Sequence, residues 1–497
     1  MTVLLWVILI IIALLVVVAL HDVIQKKHAI LRNFPVIGHL RYLIEKVGPE
    51  LRQYIVANND EELPFSRDHR RFIYASAKKQ NSYFGFGTDN DLNTPGYVLF
   101  RHAAFPHPAP PAEEAEQLGA LKVLGEAHGR THAFRPKSVV NINAMSFGSL
   151  SAQAVESINR GSKIAGCLHN TGEGGISVHH KHGAEVVFQL GTGYFGARGA
   201  DGNFSMDRML ASMEGVNVPA IEIKLSQGAK PGLGGVLPGK KVTPAIAEAR
   251  GVEVGVTVNS PNRHRAFGDV SSLINFCEEI ASATGLPVGI KSAVGETRFW
   301  RELAAEMAGT GRGPDFVSVD GGEGGTGAAP LPFSDHVALP FRAGFAEVYR
   351  AFAEQKLHEK ILFIGAGRLG LPTEAMVALA MGADMVGVAR EAMLAIGCVQ
   401  AQKCHDGHCP TGVATQNVWL TRGLDPTDKS VRLANYVGAL RGELVRLANA
   451  MGQPHPSLVD PSLIEIRLEA NHMSPVRHIY KYDPQWWRPL PVPGPAA

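Results

Sequence analysis

The sequence predicts an α/β protein built on a (β/α)8 TIM barrel, with an apolar N-terminal helix and helical flanking segments. Three observations carry that reading. Eight short apolar runs alternate with helix-like stretches over roughly 250 residues, the repeat length of such a barrel. Glycine- and polar-rich loops follow the runs, where a barrel puts its ligand-binding loops. The composition, 45% apolar in 497 residues, is enough for one large core and excludes wholesale disorder. A doubly wound sheet would show the same alternation.

The chain opens on Val3–Leu20, an uncharged, proline-free apolar run of 18 residues. As a helix it spans about 27 Å, close to the hydrocarbon thickness of a bilayer. A cleaved signal peptide would want a basic start and a small-residue cleavage site, and neither is present. Lys26, Lys27, Arg32 and Arg41 follow the run. The positive-inside bias therefore predicts a single-pass anchor in the cytoplasmic membrane, with the remainder of the chain in the cytoplasm. Residues 1–22 are read as the anchor and 23–135 as a juxtamembrane helical collar and linker. In the collar, Leu40–Tyr54 is the clearest helix and His102–Pro111 a proline-rich connector.

Residues 136–425 are read as the barrel. The strand candidates are Val139–Met145, Ile164–His169, Val186–Leu190, Ala220–Leu225, Val288–Lys291, Phe316–Asp320, Ile361–Ile364 and Met385–Val388. The helix candidates between them include Ala152–Ala165, Val270–Ala283, Phe299–Ala308 and Thr373–Met381. Residues 426–497 are read as a helical segment, strongest over Ser430–Ala450, with a proline-rich tail at Pro489–Ala497. Lys plus Arg number 48 against 46 Asp plus Glu, so a net charge of +2 gives no electrostatic case for nucleic acid.

Three of the five cysteines fall within twelve residues, as Cys398, Cys404 and Cys409 in a C-x5-C-x4-C pattern followed by Pro410. Clustered thiolates in a reducing compartment suit an iron–sulfur cluster. Zinc is the rival, with His405 or His408 as a fourth ligand. Glycine clusters in five loops, after residues 145, 169, 225, 320 and 364, and glycine lets backbone N–H groups approach a phosphate or a flat ring. In a barrel the phosphate site commonly follows strands 7 and 8, here Gly365–Gly367 and Gly387–Arg390. Lys224 and Lys291 end two strand runs, where an anionic ligand or a neighbouring carboxylate must balance them. Lys230 and Arg250 suit a dicarboxylate substrate. Glu173 and Glu323 sit between glycines; Glu173 reads as a general acid or a substrate contact. The run His179-His180-Lys181-His182 is read as surface or loop histidines, because no carboxylate pattern in sequence completes a metal site.

The segments MSFGSLS (145–151), HNTGEGG (169–175), EIKLSQGAKPGLGGVLPGKKV (222–242), DGGEGGTGAAP (320–330) and IGCVQAQKCHDGHCPTGVATQ (396–416) closely resemble the central FMN-binding synthase domain of glutamate synthases. The match runs from about 135 to 420 in the same order. More narrowly, the chain resembles the short, membrane-anchored members of this family. The resemblance implies FMN at the C-terminal ends of the strands. Met145, Ser146 and Phe147 would lie by the isoalloxazine, and Lys224 would reach its N1/O2 edge. Lys291 and Asp320 would contact the ribityl chain. Gly324, Gly325, Gly365, Gly367 and Gly387 would line the phosphate end. Cys398, Cys404 and Cys409 would hold a 3Fe-4S cluster. Gln227, Lys230 and Arg250 would meet 2-oxoglutarate, with Glu173 beside it.

The activity implied is reductive amination. Ammonia and 2-oxoglutarate give 2-iminoglutarate, and reduced FMN passes hydride to it to form glutamate. Electrons enter through the cluster from a separate donor protein or a membrane redox carrier; homo-oligomerisation is left open. The resemblance does not extend to a glutaminase: no cysteine precedes Cys167, and the chain is expected to lack that domain. Where the family has SPPPHH this sequence reads Ser260-Pro-Asn-Arg-His264, and where it has DGGL this sequence reads Gly365-Ala-Gly-Arg-Leu369. These departures leave room for a relative acting on another 2-oxo acid or amine, such as N-methylglutamate. They also leave room for a membrane subunit that only relays electrons.

Overall fold

The computed structural model describes residues 2–54, 62–81 and 85–486. Eight parallel strands close into a barrel: β1 (Val140–Ile142), β2 (His169–Asn170), β3 (Val186–Leu190), β4 (Ala220–Lys224), β5 (Val288–Ala293), β6 (Phe316–Asp320), β7 (Leu362–Ala366) and β8 (Met385–Val388). Each pairs with the next in chain order, and β8 returns to β1 through Val386 opposite Val140. The barrel alternative was the right one.

The second strand differs from expectation. Ile164 and Ala165 end the helix Ala152–Ala165, and Gly166 caps it at φ +64°. Glycine takes that left-handed conformation without strain, so the chain turns there and the strand shrinks to His169–Asn170. The first strand is likewise shorter than Val139–Met145, because from Asn143 onward the backbone has left the ladder and begun the loop that carries Met145 and Phe147.

Between β4 and β5 the chain makes a long excursion. It contains a two-stranded antiparallel pair, Val236–Leu237 with Val258–Asn259, and the short helix Pro244–Arg250. Thr243 caps that helix through its side chain, and Gly251 ends it. Arg250 is thereby the last residue of a helix pointed over the barrel mouth. The expected helices at 270, 299 and 373 are present as Val270–Thr284, Arg298–Thr310 and Pro372–Ala380.

The long helix Pro426–Ala450 packs on Ala152–Ala165. Leu433, Tyr436, Val437, Leu440 and Leu444 are its buried stripe, at the i, i+3, i+4 spacing of one helical face. Gly161 permits the close approach, since a Cβ there would lie 2.8 Å from the Ser430 carbonyl oxygen. The segment after 450 is not purely helical. Ile464–Glu469 pairs with His472–Pro475 and with Val98–Phe100 of the collar in a three-stranded antiparallel sheet. The alternation of apolar and polar residues in IEIRLE is a strand pattern that the helical reading passed over, although burial falls along the strand, from buried Ile464, Glu465 and Ile466 to exposed Leu468 and Glu469. The tail Pro489–Ala497 lies outside the described residues.

The N-terminal helix runs Thr2–Ile24, and Val3–Ile24 is long and apolar enough to cross a membrane, with its side chains exposed rather than packed on the protein. At its end Asp22 is fully buried. It accepts the Val36 N–H at 2.9 Å and holds His39 Nε2 at 2.9 Å. The helix Ala29–Asn33 that follows is buried against the body of the protein.

Candidate active site at the barrel mouth

The loops after β1 to β4 meet around Glu173. A Cβ on Gly172 would strike the Ser146 amide nitrogen at 2.6 Å, so the loop after β2 lies directly on the loop after β1. Gly174 would meet Ser146 Cβ, the Phe147 carbonyl and Arg250 in the same way. Lys224, at the end of β4, holds Glu173 Oε1 at 3.1 Å and donates to Gln227 Oε1 at 2.5 Å. Arg250 donates to the Phe147 carbonyl at 3.1 Å and lies 4.9 Å over the Phe195 ring, with its Nε unpartnered among the described residues. Lys230, 7% exposed, has no carboxylate within ion-pair distance among the described residues, and neither does Arg250.

Burial acts to raise Glu173, but Lys224, then Lys230 and Arg250, outweigh it and hold the carboxyl below its ordinary value. Burial lowers Lys230 and Arg250, with Glu173 pushing both back up. The surrounding cations thus favour the ionised form of Glu173, in which its oxygens accept hydrogen bonds.

The loops after β5 to β8 meet on the other side. Lys291 is paired with Asp320 Oδ2 at 3.4 Å and donates to Asn143 Oδ1 at 3.1 Å. Asp320 Oδ2 also accepts the Gly228 N–H at 3.1 Å. Both strand-end lysines thus have carboxylate partners, the alternative that the sequence left open. Gly387 faces Asn143, and Gly324 lies beside Asp320. A Cβ on Gly325 would run into the side chain of Arg390, which donates to the Glu323 carbonyl. Gly367 has φ +121°, so any side chain there would be strained. The missing Cβ of Gly365 faces Phe341 and Leu369, so this glycine also serves strand–helix packing behind the barrel wall.

This surface fits FMN. A ring of glycine-lined backbone surrounds the mouth, and Lys224 and Lys291 stand on adjacent strands as directly paired residues. A side chain at 228 would overlap the Gly321 carbonyl, at 1.8 Å, so the loops after β4 and β6 are in backbone contact at the mouth.

The cysteine loop lies alongside. A Cβ on Gly327 would lie 3.3 Å from Cys404 Cβ, so the loop after β6 runs against the cysteine loop. Gln416 donates to the carbonyls of Gly148 and Leu150, tying the end of the cysteine loop to the loop after β1. From the collar, Tyr74 donates to the Cys398 carbonyl at 2.8 Å, and Gln400 exchanges hydrogen bonds with the Phe65 backbone. Gln400 and Gln402 both hold left-handed φ values, 53° and 55°, a conformation seldom taken by such residues. Burial pushes the Cys398 thiol up to about 12, with Cys409 and Cys404 adding to it. The three sulfurs do not all lie within 4.8 Å of one another. A single zinc ion with bonds of ~2.3 Å would draw them to roughly 3.8 Å, whereas a multinuclear cluster puts each thiolate on a different iron.

Two parts of the site escaped sequence reasoning. His264, 4% exposed, donates from Nε2 to the Lys224 carbonyl at 2.9 Å and stacks on Phe267. Inside the barrel Glu222 accepts from Asn170, Gln189 and Ser318, at 2.8, 2.6 and 2.5 Å. The alternation of AIEIK does mark Glu222 as sharing a face with Lys224, so that signal was available. The histidine run needs a correction. His180 is buried, while His179 and His182 gather with Glu156, a carboxylate supplied by the helix Ala152–Ala165 and invisible to local spacing.

Burial lowers His264 and His455 to about 4 each, despite the Lys224 and Gly119 carbonyls that they bond. Both are neutral when folded and would take a proton when unfolded below about pH 6.5. Their contribution is full above that value and is lost as pH falls toward the folded value. At pH 5 each is expected to cost about 2 kcal/mol of stability relative to pH 7. Thermal unfolding at the two pH values measures it; an unchanged midpoint would contradict the burial of both imidazoles.

Residues 116–454 match the family described as the conserved region in glutamate synthase. The chain is 38% identical over 467 residues to the glutamate synthase large subunit-like protein YerD of Bacillus subtilis, covering 87% of this chain and 88% of that one. It is 35% identical over 343 residues to the archaeal-type glutamate synthase (NADPH) of Thermotoga maritima, covering 68% of this chain and 64% of that one. It is 40% identical over 205 residues to the ferredoxin-dependent glutamate synthase of Antithamnion sp., covering 40% of this chain and 13% of that one. The barrel, the mouth and these matches lead to one conclusion: the chain belongs to the glutamate synthase family.

Proposed function

We propose that the chain is an oxidoreductase acting on CH–NH2 donors that makes glutamate from 2-oxoglutarate and ammonia. The observation that carries this reading is the pair Lys230 and Arg250, buried cations that both act on Glu173 and have no carboxylate at ion-pair distance among the described residues. An anion with two carboxylates would supply what both lack. FMN, when bound and reduced, supplies a hydride to the carbon of 2-iminoglutarate, and a proton completes the amine.

The chain's own residues do the rest. Lys230 and Arg250, with Gln227, hold the two carboxylates and so fix the imine carbon against the flavin face. Glu173, ionised, accepts from the nitrogen side of the substrate. Lys224, steered by Glu173 and Gln227, directs its ammonium at the flavin N1/O2 edge, where reduction adds negative charge. Met145, Ser146 and Phe147 form the wall by the ring. Lys291 and Asp320 meet the ribityl chain, and Gly324, Gly325, Gly367 and Gly387 leave room for the phosphate end. Cys398, Cys404 and Cys409 are the ligands of a 3Fe-4S cluster that brings electrons from a separate donor. The apolar helix Val3–Ile24 is the membrane anchor, with the barrel on its cytoplasmic side; the length, apolar composition and exposure of that helix support this.

The test is anaerobic. The purified holoprotein is reduced, and flavin absorbance is followed after addition of 2-oxoglutarate and ammonium. Reoxidation is expected only with both present, and slower with other 2-oxo acids. Reduced protein that ignores the pair but reacts with a quinone would replace this reading by that of an electron-relay subunit.

A further inference from the structure

Behind the loop after β1, Glu156, His179 and His182 bring one carboxylate oxygen and one ring nitrogen from each histidine within 4.8 Å of one another. This is the only such trio of His, Cys, Asp or Glu among the described residues. We propose that these three side chains form a binding site for a divalent first-row transition metal of the zinc, cobalt or nickel type.

The ligands come from two rigid pieces. Glu156 projects from the second turn of the helix Ala152–Ala165. His179 lies on the short 3-10 turn Val178–His180, and His182 just beyond it. The turn is pinned from below, because Ser177 donates its N–H to His180 Nδ1 at 3.0 Å. It is pinned from the side, because the His182 N–H donates to Asn159 on the same helix as Glu156, at 3.0 Å. All three ligands are half-buried, so an ion could reach them from solvent.

The carboxylate is already divided between two tasks. Oε1 takes Arg160 at 2.6 Å, while Oε2 faces His182 Nε2 at 3.8 Å. An arginine on the far oxygen orients the near one, as outer partners do for metal-bound carboxylates. A tetrahedral ion with bonds of ~2.0–2.1 Å needs its ligand atoms roughly 3.4 Å apart. The Glu156–His182 pair, at 3.8 Å, already stands close to that spacing. Two imidazoles select transition metals over calcium or magnesium, and three protein ligands leave a position for water. The site has a structural neighbour of consequence: the His179 ring meets the Phe147 ring edge-on at 5.0 Å. An ion here would brace the loop after β1 from behind.

The probe is Zn2+ alone, titrated into the full-length holoprotein by calorimetry with iron content followed in parallel. One equivalent is expected to bind without loss of iron and to raise the thermal midpoint. His179→Ala and His182→Ala should each abolish that equivalent. Glu156→Gln, which keeps shape and the hydrogen bond to Arg160, should weaken it at least about tenfold, since only the charge and one lone-pair donor are lost. Variants are compared at equal flavin content, which separates loss of ligand from loss of fold. No binding by the wild type would overturn the proposal. So would zinc that binds equally well in all three variants, or zinc that enters only as iron leaves, which would place it at the cysteines.

Discussion

Replacing Lys230 by alanine is expected to raise the KM for 2-oxoglutarate about 100-fold, or roughly 2.7 kcal/mol, while flavin content and iron stay at wild-type levels. The reasoning starts from burial. An ammonium only 7% exposed is held here with no carboxylate at ion-pair distance among the described residues, and Glu173, the acid that acts on it, is already bonded by Lys224. Removing Lys230 therefore breaks no ion pair in the free protein, and the loss falls on the bound anion. Because a carboxylate keeps its charge while hydride adds to the imine carbon, the interaction is felt about equally in ground state and transition state, and kcat should move little. Steady-state kinetics with 2-oxoglutarate varied, alongside flavin absorbance of the purified variant, decides it. Equal loss of flavin and of substrate affinity would show that Lys230 supports the cofactor instead.

Cys404→Ser should remove iron and sulfide from the purified protein and bring donor-driven turnover to background. Chemically reduced protein should still pass its electrons to 2-oxoglutarate and ammonium. The split is expected because the two functions use different loops. The cysteines lie in the segment after β8, and the substrate residues lie in the loops after β2 and β4. Cys404 suits the experiment because it is less buried than Cys409, so serine there leaves no cavity in the core. Metal analysis and the anaerobic reoxidation assay together read it out. Wild-type protein holding one zinc and no iron would refute the cluster, and so would a variant with undiminished donor-driven turnover.

The barrel was legible because its signal is repeated. Eight apolar runs in alternation with helices leave few topologies, and an error at one run, such as Ile164–His169, does not disturb the others. Gly166 was the missing cue there: it marks the end of a helix, and the run was read across it. The separate residues of the mouth were legible for another reason. Lys224, Gln227, Lys230 and Glu173 lie in loops whose wording is long and unusual, so their assembly could be anticipated before any geometry. What stayed hidden depends on distance in sequence. Glu156 is 23 residues from His179, and only the packing of one helix against one turn joins them. His264 lies 40 residues beyond Lys224 and reaches its carbonyl across the excursion between β4 and β5. The packing of Gly365 against Phe341 was hidden too, because the direction of an absent Cβ is not carried by sequence.

The short helix Ala29–Asn33 has a consequence for how electrons could arrive. Asn33 donates to the carbonyls of Pro410 and Leu420, at 3.2 and 2.7 Å, and its own carbonyl receives the Trp419 indole N–H. Pro410 directly follows Cys409. The stretch of chain that leaves the apolar N-terminal helix is thus fastened to the last cysteine's neighbour, while Phe65 and Tyr74 of the same collar fasten the first. With that helix embedded in a bilayer, the cysteine loop would be tethered at Asn33, nine residues beyond the helix end at Ile24. A donor confined to that surface would then search a plane instead of a volume, and a soluble donor would have to enter between the collar and the membrane.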